Sequence, residues 1–339
     1  MKGLRKKTGL LYWLVWGYAV LVLSALVVVK LGGDRWWPAT LLLFGPRWVM
    51  AVPLVVLAPL VIFLNRGLLW PLLAAAIFVF GPFMGLSLPF GKIFAPNGLV
   101  LKVLTCNVQN GNFNRKALSS LIFDSGADIV AMQECPRELG LELPPGWHVV
   151  QEGQLALLSR FPLKLSGSLQ MMHPPHKWPR TSLLYCIVQT PNGAVTLCSV
   201  HLPSPRYGLQ NILDRRTVLS LNRIGFLVDE TENRRQVSRQ VQEAIASLPR
   251  WVIVAGDFNM PVDSTIYREY WSGFSNAFSQ VGLGYGWTVG GEVRGLKARV
   301  RIDHILTDKG FAPIACRVGP DVGSDHLPVI AELASIATH

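Results

Sequence analysis

Carboxylates, carboxamides and histidines stand where apolar runs of this chain end. Residues 251–255 are short, apolar and β-branched and read as a buried strand, which Gly256 then lets turn. Asp257 and Asn259 follow, two residues apart, and project the same way if the extended geometry persists. An acceptor beside a donor at the end of a buried strand suits the holding of a water, a metal or an anionic oxygen. An Asx turn capping the strand is the other reading of these residues by themselves. The arrangement recurs: Asn107 closes a strand candidate over 99–107, Glu134 follows one over 128–132, and His201 ends one over 194–201. Asp303 lies in a strand candidate over 301–306, and Asp325 and His326 precede another over 327–333. Strand ends in a packed sheet can converge on one rim. Glu134 and Asp325 offer hard oxygen ligands of the kind Mg²⁺ prefers, a few carboxylates plus waters. His201 and His326 can donate to a phosphate oxygen, and a carboxylate near His326 would raise its pKa and fix its tautomer.

The elements that must position these groups form an α/β pattern from residue 99 onward. Residues 115–125 carry Leu118, Leu121 and Ile122 at helical spacing. Residues 182–190 and 194–201 flank Pro191-Asn192-Gly193, whose Asn-Gly step predicts a hairpin. Residues 230–248 are polar with apolar Val237, Val241, Ile245 and Leu248, a surface helix. The five cysteines, Cys106, Cys135, Cys186, Cys198 and Cys316, show no metal-ligand spacing and read as small buried hydrophobes.

The front of the chain is a different material. Of 339 residues 50% are hydrophobic and the mean hydropathy is +0.34, too apolar for an ordinary soluble enzyme. Residues 10–29 form an uncharged run of 20, matched at about 1.5 Å per residue to a hydrocarbon core of roughly 30 Å. With further runs over 48–64 and 68–90 they predict transmembrane helices at about 10–30, 48–64 and 68–90. The organisation is then a membrane anchor over 1–98 and a catalytic domain over 99–339. The stretch 36–44 is too short to cross. Lys2, Arg5, Lys6 and Lys7 precede the first span and Arg66 sits in the turn between the last two, which predicts a cytoplasmic N-terminus and an extracytoplasmic domain in a plasma or inner membrane. Lys30, Arg35 and Arg47 weaken that bias. Nine Lys/Arg stand against one Asp over 1–98, so most of the net charge of +11 belongs to the anchor and argues little for a nucleic-acid surface beyond it.

Several short motifs now carry a resemblance: Thr105-Cys106-Asn107, Met132-Gln133-Glu134, Leu158-Ser159-Arg160-Phe161-Pro162, Ser199-Val200-His201-Leu202, Gly256-Asp257-Phe258-Asn259, Arg301-Ile302-Asp303-His304-Ile305-Leu306 and Ser324-Asp325-His326-Leu327-Pro328. In this order, over about residues 99–333, the chain resembles the endonuclease/exonuclease/phosphatase superfamily. The resemblance implies a two-sheet α/β sandwich, here preceded by the three-helix transmembrane segment that the apolar runs predict, with metal-dependent hydrolysis of phosphoesters in a pocket at one end. By that resemblance Glu134 is the principal metal ligand, with Asn107 beside it and Asp325 a further ligand, for Mg²⁺ or Mn²⁺. Asp257 orients or deprotonates the attacking water and Asn259 steadies that water or a phosphate oxygen. His326, oriented by Asp303, and His201 face the phosphate.

Other residues carry less. His304 neighbours Asp303 and points to the opposite face, which favours packing. His173 and His176 lie in a proline-rich loop with Trp178 as lid or anchor, a metal site being the rarer reading. Arg180 reaches a phosphate or is solvated, Arg160 braces a loop, and Lys297, Arg299 and Arg301 form an alternating basic face that reads as solvated. Superfamily members with comparable spans are implicated in envelope lipid-phosphate turnover and glycopeptide resistance, which by analogy favours a lipid-linked phosphate, pyrophosphate or phosphodiester as substrate. An extracytoplasmic endo- or exonuclease on DNA or RNA is the alternative within the enzyme class, and a catalytically silent membrane scaffold the alternative outside it. A transporter is disfavoured by the near absence of intramembrane charge. Beyond the phosphoester substrate and the lipid bilayer, no protein partner follows from the sequence.

Overall fold

Uncharged apolar sequence at the front winds into helices. In the computed structural model, which describes residues 2–89, 98–173, 176, 178–213, 221–249, 251–293 and 295–336, α1 (Lys2–Val27) runs on through a wider turn at Val28–Gly32. A short α2 (Trp37–Phe44) follows, then α3 (Val52–Leu64) behind a tight turn at Arg47–Ala51, and α4 (Leu69–Phe78), continued by Val79–Phe83. Three helical stretches, Gly9–Gly32, Arg47–Leu64 and Arg66–Phe83, are long and apolar enough to cross a membrane. Leu11, Val15, Tyr18 and Val22 of α1, one turn apart, pack against Leu57 and Val61 of α3 and Leu72 and Ala75 of α4. Trp13, Val55, Phe63 and Leu73 point outward, as lipid-facing side chains do.

The third helical stretch ends at Phe83 and not near residue 90; residues 90–97 lie outside the described part. Gly81 leaves helical geometry at ψ −106° beside Pro82, and Gly85 takes φ +82°. The backbone then docks on the domain beyond, Ser87 and Gly284 exchanging hydrogen bonds of 2.8 and 2.9 Å.

The strands are β1 (Val100–Asn107), β2 (Ile129–Gln133), β3 (His148–Glu152), β4 (Leu155–Ser159), β5 (Leu163–Met172), β6 (Pro179–Thr190), β7 (Gly193–His201), β8 (Val252–Asp257), β9 (Ser275–Asn276), β10 (Val289–Val293), β11 (Leu296–Val300), β12 (Asp303–Thr307), β13 (Phe311–Val318) and β14 (Val329–Ser335). They make two mixed sheets, ordered β13-β14-β1-β2-β4-β3 and β5-β6-β7-β8-β12-β9, with β10-β11 a separate hairpin. Leu101, Val103, Ile129 and Ala131 of the first sheet meet Leu184, Leu197, Ile253, Ala255 and Ile305 of the second to form the central core. Helix α5 (Arg115–Ser125) covers the outer face of the first sheet, through Leu118, Leu121 and Ile122. After α6 (Arg206–Leu213), α7 (Leu221–Ala246) covers the second through Val237, Val241 and Ile245, joined by α8 (Thr265–Tyr270). The result is the two-sheet α/β sandwich that the resemblance implies, preceded by the three apolar helices that the apolar runs predict.

The strand period of two decides what faces the site. On β8, Ile253 and Ala255 point into the central core, so Asp257 does too at the strand's end. The same parity carries Asn107 beyond Leu101 and Val103, and His201 beyond Val195 and Leu197. Asp303 shares its face with Ile305, while His304 turns outward. There His304 is buried, with Nε2 3.0 Å from the Met260 carbonyl and its ring against Phe258 and Tyr267. That is the packing role its neighbour's parity predicts.

Candidate active site

Sheet register brings the polar strand ends together. His201 pairs with Asp257 across the parallel β7–β8 ladder, and Asp303 pairs with Asp257 across the antiparallel β12–β8 ladder. Asn107, on the other sheet, crosses the rim and donates from Nδ2 to Asp257 Oδ2 at 3.0 Å and to Glu134 Oε1 at 3.3 Å. Gly256 makes the close packing here possible: a Cβ on it would stand 2.1 Å from the Val200 carbonyl oxygen.

Glu134, His201, Asp257, Asn259, Asp325 and His326 line one cleft of about 310 Å³. Asn107 and Asp303 are buried behind it, holding the groups that line it. Four of the five non-glycine residues with positive φ, Gln109, Asn110, Glu134 and Asn259, lie on this cleft among the described residues. Local backbone strain of this kind, on the order of 1–3 kcal/mol per residue, persists where surrounding structure imposes it, and it gathers at functional sites.

Asn259 departs from the extended geometry, with φ +51°. Its backbone N–H donates to Asp257 Oδ1 at 2.8 Å, which is an Asx turn, and its Nδ2 donates to the Leu202 carbonyl at 2.8 Å and Asp257 Oδ2 at 3.2 Å. Both readings of the pair hold at once, since the turn is what aims the Asp257 carboxylate. The carboxamide N–H groups of Asn259 are thereby committed to Asp257 and Leu202, and a phosphate oxygen is not their partner here.

His326 Nδ1 lies 2.9 Å from Asp303 Oδ2, and its Nε2 lies 3.8 Å from Asp257 Oδ2. Burial opposes charge on this ring, but the Asp303 and Asp257 carboxylates outweigh it and push its pKa up to about 10. His201 Nε2 stands 3.6 Å from Glu134 Oε1 and 3.7 Å from Asp257 Oδ2. Burial lowers its pKa despite Glu134, and its Nδ1 is buried without a hydrogen-bond partner among the described residues. Burial also raises the pKa of Asp257, with His326 opposing and Asp303 adding to the shift. The cleft thus sets two imidazoles of opposite tendency beside the Asp257 carboxylate, the carboxylates favouring the charged form of His326 and burial the neutral form of His201.

The donor set suits a hard divalent cation. Glu134, Asp257 and Asp325 bring carboxylate oxygens to one polar cleft and no thiol lines it, a combination that favours Mg²⁺ or Mn²⁺ over softer metals. Ligand atoms of Asp257, Asp303 and His326 also lie within 4.8 Å of one another. Asp303 and His326 are already bonded to each other, however, so this trio is a hydrogen-bonded relay and Glu134 remains the more open carboxylate. Asn107 turns Nδ2, not Oδ1, toward Glu134 and Asp257, because two carboxylates call for a donor.

Residues outside the expected set complete the cleft. Asn110 donates to Glu134 Oε2 at 3.0 Å, and the only sign of it in the sequence is a pair of residues, Asn110 and Gly111, suited to a left-handed turn. Gln133, buried between the sheets, donates to Ser199 Oγ at 3.0 Å. His173, expected in a loop, is buried beside His201 with Nε2 2.7 Å from Ser182 Oγ, and burial lowers its pKa to about 3. His176 lies 3.2 Å from Arg180, and Arg180 lines the cleft while held by Gln154, so it faces the site. Trp178 is 77% exposed and anchors nothing among the described residues. Arg160 pairs with Asp128 at 2.6 Å, the bracing role expected of it.

The sequence profile of the Endonuclease/Exonuclease/phosphatase family matches residues 104–326. No curated protein matches the chain. Among solved structures, D. rerio TDP2 complexed with single strand DNA product is 18% identical with a TM-score of 0.47, over 69% of this chain and 98% of that one. An endonuclease/exonuclease/phosphatase from Beutenbergia cavernae is 18% identical with a TM-score of 0.47, over 70% of this chain and 72% of that one. The 3′ phosphatase NExo from Neisseria, bound to product DNA hairpin, is 20% identical with a TM-score of 0.44, over 68% of this chain and 98% of that one.

Proposed function

Since this chain belongs to the endonuclease/exonuclease/phosphatase family, we propose that it is a membrane-anchored, divalent-metal-dependent hydrolase of a lipid-linked phosphate, pyrophosphate or phosphodiester at the outer face of the membrane. The observation that carries this reading is the meeting of Glu134, His201, Asp257 and His326 in one polar cleft of a domain held to three apolar helices.

Glu134 and Asp325 would hold Mg²⁺ or Mn²⁺, with Asn107 beside them as a donor that fixes Glu134. When bound, the ion supplies neutralisation of charge developing on phosphoryl oxygens. Asp257, fixed by Asn107, by the Asx turn and by the carboxamide of Asn259, orients the attacking water and accepts its proton. His326 stays protonated on Nδ1 against Asp303 and offers Nε2–H to the phosphate, and neutral His201 offers a second donor. Donors fixed before the reaction stabilise the transition state without reorganising. Asn259 acts by holding Asp257 in place.

The pairing of cations at the domain's end of the helices supports one orientation. Lys30 and Arg47, at the catalytic-domain ends of the helices, pair with Asp263 at 2.5 and 2.7 Å, and Arg35 lies 3.9 Å from Glu269. Asp263 and Glu269 offset part of their charge, so Lys2, Arg5, Lys6, Lys7 and Arg66 at the other end weigh more, which favours a cytoplasmic N-terminus.

The test is a substrate panel. Full-length protein with Mg²⁺ is offered plasmid DNA, RNA, sphingomyelin, phosphoinositides and polyprenyl pyrophosphate. Hydrolysis of a lipid substrate, abolished by EDTA, is expected. Selective cleavage of nucleic acid would replace the lipid reading, and no hydrolysis of any phosphoester would end the enzymatic one.

A further inference from the structure

Lys297, Arg299 and Arg301 alternate along the chain, and the catalytic cleft uses none of them. Two lie on β11, and all three line a second cavity, of about 520 Å³, between the anchor and the domain. Arg47 and Trp48, where the second apolar helix begins, and Met84, just past the end of the third, line the same cavity. It therefore sits level with the membrane ends of the helices.

Its chemistry is one-sided. Among the described residues Arg47, Lys297, Arg299 and Arg301 line it against a single acid, Asp263, and that acid is already paired with Lys30 and Arg47. Arg301 is only 8% exposed, stacks over Phe278 and donates from Nη2 to Ser279 Oγ at 3.0 Å. Its Nη1 is buried with no hydrogen-bond partner among the described residues. A buried guanidinium nitrogen left unpaired is strongly unfavourable unless an acceptor completes it. Arg299 is exposed over the Trp287 ring, which stacks on Tyr285.

The remaining walls are apolar or aromatic and tied to the helices. Trp48 donates to the Lys297 carbonyl at 2.7 Å, and Tyr285 donates to the Phe80 carbonyl at 3.1 Å. Tryptophan and tyrosine are the residues that settle at the headgroup level of a bilayer. A free inorganic anion would use the arginines and leave this apolar wall wet; a lipid uses both.

We infer that this junction cavity binds the phosphate of an anionic phospholipid, with Arg301 and Arg299 on the headgroup and the acyl chains lying along the second and third apolar helices. The site is separate from the catalytic cleft, and its occupant is a bound lipid and not a substrate. Such a lipid would fix the domain's seat on the membrane.

Native mass spectrometry of the full-length protein in detergent tests this, with titration of phosphatidylglycerol against phosphatidylcholine. One phosphatidylglycerol is expected to bind at least 10-fold more tightly than phosphatidylcholine. Arg301→Gln, or Arg299→Gln with Lys297→Gln where the buried change impairs folding, should abolish that preference, and Lys116→Gln on α5 should not. Glycerol 3-phosphate, the soluble arm, should fail to displace the lipid at equal concentration. Equal binding of the two lipids, unchanged binding by the arginine variants, or displacement by glycerol 3-phosphate would each overturn the inference. The readout is binding, so its failure leaves the hydrolase reading intact, and failure of that reading leaves this one.

Discussion

Asp257 is the residue on which the cleft turns, since it receives Asn107 and Asn259 and faces both histidines. Its removal as a base should lower turnover by about 10²–10⁴, the usual contribution of general acid–base catalysis. Asp257→Asn measured against wild type under saturating Mg²⁺, with circular dichroism to show that the fold is retained, checks this. Asp303 acts one step back, through His326: Asp303→Asn should lower kcat more than it alters KM, because it unfixes the donor and not the binding surface. At this scale the sequence was legible because a period of two puts Asn107, His201, Asp257 and Asp303 on the core-facing side of their strands. It could not show that Asn259 twists to φ +51° and spends its amide on Asp257, nor that Asn110 caps Glu134. Those are properties of loops, whose partners are remote in sequence.

Helix α7 links the N-terminal helices to the cleft. Arg234, fully buried, bonds Asp34 of the α1–α2 loop at 3.1 Å, the Asn259 carbonyl at 3.0 Å and the Pro203 carbonyl at 3.2 Å. A residue of the N-terminal helical segment thereby completes a brace behind two loops of the cleft. Removing one partner of a buried ion pair costs about 3–5 kcal/mol. Asp34→Ala should therefore lower the thermal midpoint in detergent sharply and depress activity below that loss; an unchanged midpoint would contradict the brace.

On the same helix, Glu230 accepts from the Gly208 N–H at 3.0 Å while its Oε1 is buried without a partner among the described residues. Burial raises its pKa to about 7. The folded value lies above the ordinary one of 4.5, so the native state binds the proton more tightly and stability falls as pH rises from about 4.5 to about 7. Glu230→Gln should melt close to wild type at pH 5 and above it at pH 8. Long elements such as α5 and the β6–β7 hairpin were legible from periodicity. The part of α7 that precedes residue 230, the half-exposed β5 and the β10–β11 hairpin were not, because their apolar residues answer to neighbours and not to a repeating pattern.

As a whole molecule the protein is an α/β sandwich joined to its apolar helices by specific polar contacts, from Asp263 with Lys30 and Arg47 to Ser87 with Gly284. The sequence showed both materials but not the joint, whose partners lie more than 150 residues apart. An extracytoplasmic domain predicts an active alkaline phosphatase fusion and a dark GFP fusion at the C-terminus, and the reverse pair would invert the topology. The central claim is that the cleft hydrolyses phosphoesters with a divalent metal held at Glu134. Its most direct measurement is the rate at which full-length protein hydrolyses bis(p-nitrophenyl) phosphate with Mg²⁺, wild type beside a folded Glu134→Gln. The account predicts hydrolysis by wild type that EDTA abolishes and that the substitution lowers by about 100-fold or more. Equal rates for the two proteins, or a wild-type rate indifferent to EDTA, would contradict it.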